Sequence, residues 1–191
     1  MADEIVLLHG LESAVDENLR PIGSKARFMR ERYSAATPGL DTRAAVAHRD
    51  WCVANQRPWD ADPERVAAAF AAPMANARAA ITAHTRLIVG SSFGGAVLLK
   101  LLHEAPRYAG PCVFMAGAGV MITPYDHIPE GVRAVLMHGR GDDEIAPGDS
   151  RTLFASSGPG VQLWELHDGH RLLSTLDDGT LDAAIQLMLS G

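Results

Sequence analysis

The sequence is poor in the features that mark whole classes of protein. It holds two cysteines, Cys52 and Cys112, in 191 residues, too few for a disulfide-stapled fold and in keeping with a reducing compartment. No apolar run approaches the roughly 18 residues that a membrane-spanning helix needs. The first run, Ile5–Leu8, is short, and the acidic start Met1-Ala-Asp-Glu has neither the charge nor the apolar length of a secretory signal. The expectation is a soluble, cytoplasmic protein with no membrane partner. A basic stripe is missing too: Asp and Glu number 23 against 17 Lys and Arg, a formal charge of -6, which argues against a nucleic-acid surface. The densest basic stretch, residues 25–32, reads as one solvated helix face. No internal repeat, low-complexity tract or linker divides the chain. At 47% hydrophobic residues, its length suits one domain over residues 1–191 and is short for two.

What is present alternates short apolar runs with helix-like segments. Residues 5–8, 33–36, 87–89, 111–115, 132–137 and 161–166 read as about six strands. The last belongs at an edge, because Gln162 and Glu165 interrupt it. Between them lie a polar loop over 12–23, a helix over 24–32 capped by Ser24, and a mixed segment over 41–61 carrying Trp51 and Trp59, expected near a site's rim. An alanine-rich helix opens at Pro63 and runs to about 83, with Pro73 predicting a kink or break near Ala72. A closing helix starts with Thr180 as N-cap and shows Leu181, Ala184, Ile185, Met188 and Leu189 on one face. Strands separated by helices call for an α/β fold with a mostly parallel, doubly wound sheet. Ligands then bind beyond the carboxyl ends of the strands.

One turn organises the rest. Leu87, Ile88 and Val89 enter Gly90-Ser91-Ser92-Phe93-Gly94-Gly95, and Val97, Leu98, Leu101 and Leu102 leave it at helical spacing. Gly90, Ser92 and Gly94 satisfy G-x-S-x-G, the strand-turn-helix corner that exposes a serine hydroxyl above a sheet. Ser91 does not fit that register, since Phe93 stands two places after it. Alone, the string also suits a plain Gly-rich turn, so the other strand ends decide. Asp142 and Asp143 follow the fifth run, and His167 and His170 follow the sixth, which gives the order Ser, Asp, His. A phosphate-binding loop is excluded because no Lys-Ser/Thr ending follows the glycines. The HxxH spacing of His167 and His170 has no third ligand in reach, so no metal or cofactor is expected.

Four stretches, HGLES (9–13), GSSFGG (90–95), HGRGDDEIAP (138–147) and DGHRL (168–172), give most of the chain a resemblance to small, cap-less bacterial serine esterases of the α/β-hydrolase superfamily. The resemblance implies a minimal α/β-hydrolase fold without a cap domain, and an acyl-enzyme mechanism on carboxylic esters or thioesters. It places the nucleophile at Ser92 and the base at His170, with His167 the competitor. For the acid, the ungapped pattern HGxxDxxV from His138 selects Asp142, with Ala146 where proline is usual. Counting back from Pro147 selects Asp143 instead. The ungapped match covers more residues and favours Asp142. The oxyanion donors implied are the backbone N–H groups of Phe93 and of Leu11, in the loop after the first strand.

Only about residues 120–131 are available where larger relatives insert a lid, so an open site is expected. Trp51, Trp59, Met121 and Tyr125 are the candidates for an apolar wall. The expected partner is a small-molecule ester or thioester. An amidase on the same triad is an alternative, as is a non-catalytic binding protein, whose signature would be a missing nucleophile or base.

Overall fold

Alternate residues along each strand serve two different cores, one on each face of a single sheet. In the computed structural model, which describes residues 4–11 and 13–190, the strands are β1 (Ile5–Leu8), β2 (Leu87–Ser91), β3 (Cys112–Met115), β4 (Ala134–Gly139) and β5 (Val161–Leu166). The acidic start at Met1 and the head of the polar loop at Glu12 lie outside the described residues. All four strand pairings are parallel, and the strands lie side by side in chain order. Val6, Leu8, Ile88, Cys112, Phe114 and Leu136 face a core closed by α2 (Arg43–Asn55), α3 (Pro63–Ala80), α4 (Phe93–His103), α5 (Gly119–Ile122) and α6 (Pro147–Ala155). Leu7, Leu87, Val89, Val113, Val135 and Met137 face the opposite core, closed by α1 (Ser24–Tyr33) and α8 (Thr180–Leu189), with the one-turn α7 (Ser174–Asp177) beside them. A strand covered on both faces needs apolar residues at every position, which is why these runs read as continuous rather than alternating. Cys52 and Cys112 are both free and buried.

Three local expectations are revised. The run over 33–36 is not a sixth strand: α1 takes up Tyr33, Ser34 turns left-handed at φ 50°, and Ala36 makes one isolated parallel bridge with Val6. Ala36 N–H donates to Ile5 O at 2.9 Å, and the Ala36 carbonyl accepts from Leu7 N–H at 2.8 Å. Ser24 and Thr180 are first residues of their helices and not caps; Gly23 and Gly179 stand at the N-caps, with no side-chain cap bond. The helix at Pro63, capped by the Asp62 carboxylate on the N–H groups of Glu64 and Arg65, runs without a break through Pro73 and stops at Ala80. Proline in a helix interior costs about 3 kcal/mol. Here the spacing Phe70, Pro73, Met74, Ala77 forms one buried stripe, and its packing outweighs the lost hydrogen bond.

The turn from β2 to α4 is crowded. A Cβ on Gly94 would lie 2.1 Å from Leu8 O, and one on Gly90 would lie 2.7 Å from Gly94 O. These are backbone atoms, so neither contact can be relieved by a rotamer change. Gly94→Ala is therefore expected to cost roughly 3 kcal/mol or more, read as a lowered urea midpoint or loss of folded protein. Between β3 and β4, residues 116–133 hold only the four-residue α5, so there is no cap domain at that place. Among the described residues no helix is long and apolar enough to cross a membrane.

Candidate active site

Three loops at the carboxyl edge of the sheet bring together residues that are far apart in the chain. Ser92 sits between the last residue of β2 and the first of α4, with φ 54° and ψ -120°. A non-glycine residue held there stores about 1–3 kcal/mol of strain. Ser92 N–H donates to Met115 O at 2.9 Å, while its carbonyl accepts from Gly95 N–H at 2.9 Å and Ala118 N–H at 3.1 Å. These bonds tie the corner to β3 and to α4 itself.

Ser92 Oγ lies 3.0 Å from His170 Nε2, and His170 Nδ1 lies 2.9 Å from Asp142 Oδ2. With Nδ1–H donating to the carboxylate, Nε2 is the acceptor that faces the hydroxyl. The His170 side chain is 10% exposed and that of Asp142 is fully buried. Asp142 Oδ1 accepts from the N–H groups of Glu144 at 3.0 Å and Ile145 at 2.9 Å. Asp143 and His167 are exposed and stand outside this relay. The structure thus brings together Ser92, His170 and Asp142, the residue that the ungapped reading selected, and leaves Asp143 and His167 apart.

Burial pushes the Asp142 carboxyl upward, but the Ile145 amide, the His170 ring and the Glu144 amide together outweigh it and hold the group below the ordinary carboxylate range. A carboxylate depressed in this way stabilises the folded state above its unfolded value of about 3.9, and that contribution is lost as pH falls through the lower folded value. The urea midpoint is expected to drop below about pH 4, and more gently in Asp142→Asn than in the parent protein.

Two histidines that pattern reading treated as motif letters have structural jobs. His138, at 1% exposure, places Nε2 3.0 Å from Asp142 Oδ2 and 3.0 Å from Ile145 O, and Nδ1 2.7 Å from Ser150 Oγ. Both neighbours of Nε2 are acceptors, so that nitrogen carries the proton and Nδ1 accepts from the Ser150 hydroxyl. His138 thereby stands behind the carboxylate that His170 holds from the front. His9, buried at the end of β1, donates from Nδ1 to Gly10 O at 2.8 Å and accepts on Nε2 from Leu40 N–H at 3.0 Å. Burial lowers its pKa and favours this neutral form. The pair of bonds fixes the loop that carries Leu11, whose carbonyl also accepts from Thr42 Oγ1 at 3.0 Å.

A cavity of about 540 Å³ opens over the serine and is lined by Leu11, Trp59, Ser92, Phe93, Met121 and His170 among others. Phe93 is the first residue of α4, so its N–H has no carbonyl one turn back within the helix to bond. Of the four side chains expected in an apolar wall, Trp59 and Met121 line the cavity and Trp51 and Tyr125 do not. Trp51 stacks on His48 beneath the Arg65 guanidinium, and Tyr125 stacks on His103. The segment over 41–61 reaches the rim through Arg49 and Trp59.

The reading of residues 25–32 as a solvated face is also revised. Ala26 and Met29 are buried, Arg30 donates to Pro21 O and Thr37 Oγ1, and Lys25 Nζ donates to Ser91 Oγ at 2.8 Å inside the cavity. Composition gave no sign of this, because a basic residue in the first turn of an amphipathic helix ordinarily points to water.

No protein-family model matches the sequence, and no curated protein matches it. Solved structures do. The chain is similar to a Xanthomonas campestris pv. campestris protein of the alpha/beta hydrolase superfamily, with 19% identity, a TM-score of 0.59 and 96% of each chain covered. It is similar to the Bacillus cereus carboxylesterase at 14% identity and TM-score 0.59, over 95% of this chain and 88% of that one. A dienelactone hydrolase from Anabaena variabilis aligns at 16% identity and TM-score 0.59, over 98% and 86% of the two chains. The likeness establishes a shared fold, that of the α/β hydrolases.

Proposed function

We propose that this α/β-hydrolase-fold chain is a serine hydrolase that cleaves small carboxylic esters through an acyl-enzyme. The observation that carries the reading is the unbroken relay from the Ser92 hydroxyl through His170 to Asp142, set in a cavity at the carboxyl edge of the sheet. A serine hydroxyl is a weak nucleophile at neutral pH and needs a base. His170 Nε2 takes the Ser92 proton as Oγ attacks the ester carbonyl, and Asp142 holds the ring in the required tautomer and balances its transient charge. The N–H groups of Leu11 and Phe93 receive the negative oxygen of the tetrahedral intermediate. His170 then protonates the departing alkoxide. In the second half, His170 deprotonates a water that attacks the acyl-serine, and the acid leaves with Ser92 restored.

Small esters are preferred to lipids with long acyl chains because residues 116–133, where a cap would be inserted, hold only the four-residue α5. The test is a series of p-nitrophenyl esters from acetate to palmitate, with matched acyl thioesters followed by thiol release. The expected result is turnover with an optimum at short acyl chains. An optimum at palmitate would overturn the open-site reading, and absence of turnover across both series would overturn the hydrolase reading. A thioesterase on the same relay would appear as a higher kcat/KM on the thioester of a matched pair.

A further inference from the structure

Lys25 is one of only two lysines in the sequence, and it occupies an unusual place. It stands in the first turn of α1 and reaches across to Ser91, the residue before the proposed nucleophile, with Nζ donating to Ser91 Oγ at 2.8 Å. Lys25, Ser91, Ser92 and His170 all line the same cavity. An ammonium has three protons to donate. Among the described residues Ser91 is its sole hydrogen-bond partner, and no carboxylate lies within ion-pair distance.

A cation withdrawn from water with no anion beside it is costly, and a perturbed charged group in a cleft marks a candidate ligand site. Other features of the cavity have the same sign. Arg171, adjacent in sequence to His170, lines it from β5's following loop, and Gly23 and Ser24 present the N-terminal end of α1, where a helix carries partial positive charge. Burial lowers the ammonium's pKa to about 8, the charge of Arg171 pushes the same way, and Asp168, Asp142 and Glu144 oppose it. It remains mostly charged at neutral pH. Of the acids, Asp142 is engaged by His170, and Asp168 by Ser174 and the Gly169 N–H. Glu144 is exposed and lies at 3.6 Å from His170 Nε2. None neutralises Lys25 directly.

We propose that the cavity selects an ester bearing a second, free carboxylate, and that Lys25 binds this carboxylate from Nζ while Ser91 holds the ammonium in place and Arg171 adds attraction at the mouth. The inference rests on the hydrolase reading for the word ester, but the carboxylate site itself does not. On this basis the acid released by the enzyme from a half-ester is a dicarboxylic acid, and the substrate comes from a reaction that esterifies one end of such a diacid.

Two measurements test it. Glutarate is titrated calorimetrically into Ser92→Ala, where no chemistry occurs. Saturable binding is expected, weakened about tenfold when Lys25→Gln is added and largely retained with Lys25→Arg. Arg171→Gln, at an exposed position where folding is not at stake, is expected to weaken binding by about threefold. Equal affinity with Lys25→Gln, or no binding of glutarate by Ser92→Ala, would overturn the proposal. In parallel, hydrolysis of methyl hydrogen glutarate and of methyl valerate is followed by pH-stat. The anionic ester is expected to have the higher kcat/KM, and the ratio between the two should fall about tenfold in Lys25→Gln. An unchanged ratio would overturn the assignment of Lys25. Turnover of neither ester and of nothing in the p-nitrophenyl and thioester series, together with Lys25-dependent glutarate binding, would end the hydrolase reading and leave the carboxylate site standing.

Discussion

Ser92→Ala is expected to lower kcat on a short-chain ester by about 10⁴-fold to 10⁶-fold, and to abolish labelling by a fluorophosphonate probe. The size of the loss follows from what one oxygen does at that corner. Without it no acyl-enzyme forms, and His170 is left to activate water against a carbonyl still held by the backbone donors. The remaining rate over water is the contribution of those donors and of substrate positioning. Folding should survive, because alanine accepts the same φ and ψ as serine at the same strain, and the anchoring bonds of Ser92 to Met115, Gly95 and Ala118 are all made by its backbone. An unchanged melting temperature with lost labelling is the expected pair of results. Undiminished labelling would remove Ser92 from the role and turn attention to Ser91, whose hydroxyl already has a lysine at 2.8 Å.

The second large effect separates two adjacent carboxylates. Asp142→Asn is expected to lower kcat by about 10⁴-fold, while Asp143→Asn stays within about twofold of the parent. An amide at 142 can offer its N–H₂ group to His170 Nδ1, which then becomes the acceptor and moves the ring proton to Nε2, where it faces Ser92 instead of receiving from it. The same amide meets the His138 proton at 3.0 Å, so the carboxylate is pinned by donors from both sides and no flip of the amide satisfies all of them. Asp143, exposed beside it, makes no side-chain hydrogen bond or ion pair among the described residues. Steady-state kinetics on both variants decide the matter, and a comparable loss in Asp143→Asn would reverse the assignment.

How much of this was legible beforehand varies by element. The corner at Ser92 was, because its glycines are required by contacts of 2.1 and 2.7 Å that no other residue can meet. The candidate acid was narrowed to two because neighbours in sequence share a composition but not a backbone: of the pair, Asp142 is the one that folds back onto the amides of Glu144 and Ile145. The misplaced caps at Ser24 and Thr180 have one cause, a glycine immediately before each that takes the cap position. The run at 33–36 has strand-like residues, yet α1 reaches Tyr33 and leaves too few for a ladder. His9, His138 and Lys25 were hidden for a different reason. Each acts on a partner brought near by the sheet, 31 residues away for His9 with Leu40, 12 for His138 with Ser150 and 66 for Lys25 with Ser91, and spacing along the chain carries no trace of such partners.

The ordering of the strands has one more consequence. Ser92 hangs from β2, Asp142 from β4 and His170 from β5, and the pairing Ser91, Met115, Met137, Trp164 runs as one row across the sheet. A slip of one residue anywhere in that row would displace a strand end by about 3.3 Å, more than a hydrogen bond can stretch. Covalent capture of Ser92 by an activated phosphonate during refolding therefore serves as a clock for alignment of strands β2 to β5, and its time course can be set against the recovery of bulk helix signal to learn which comes first.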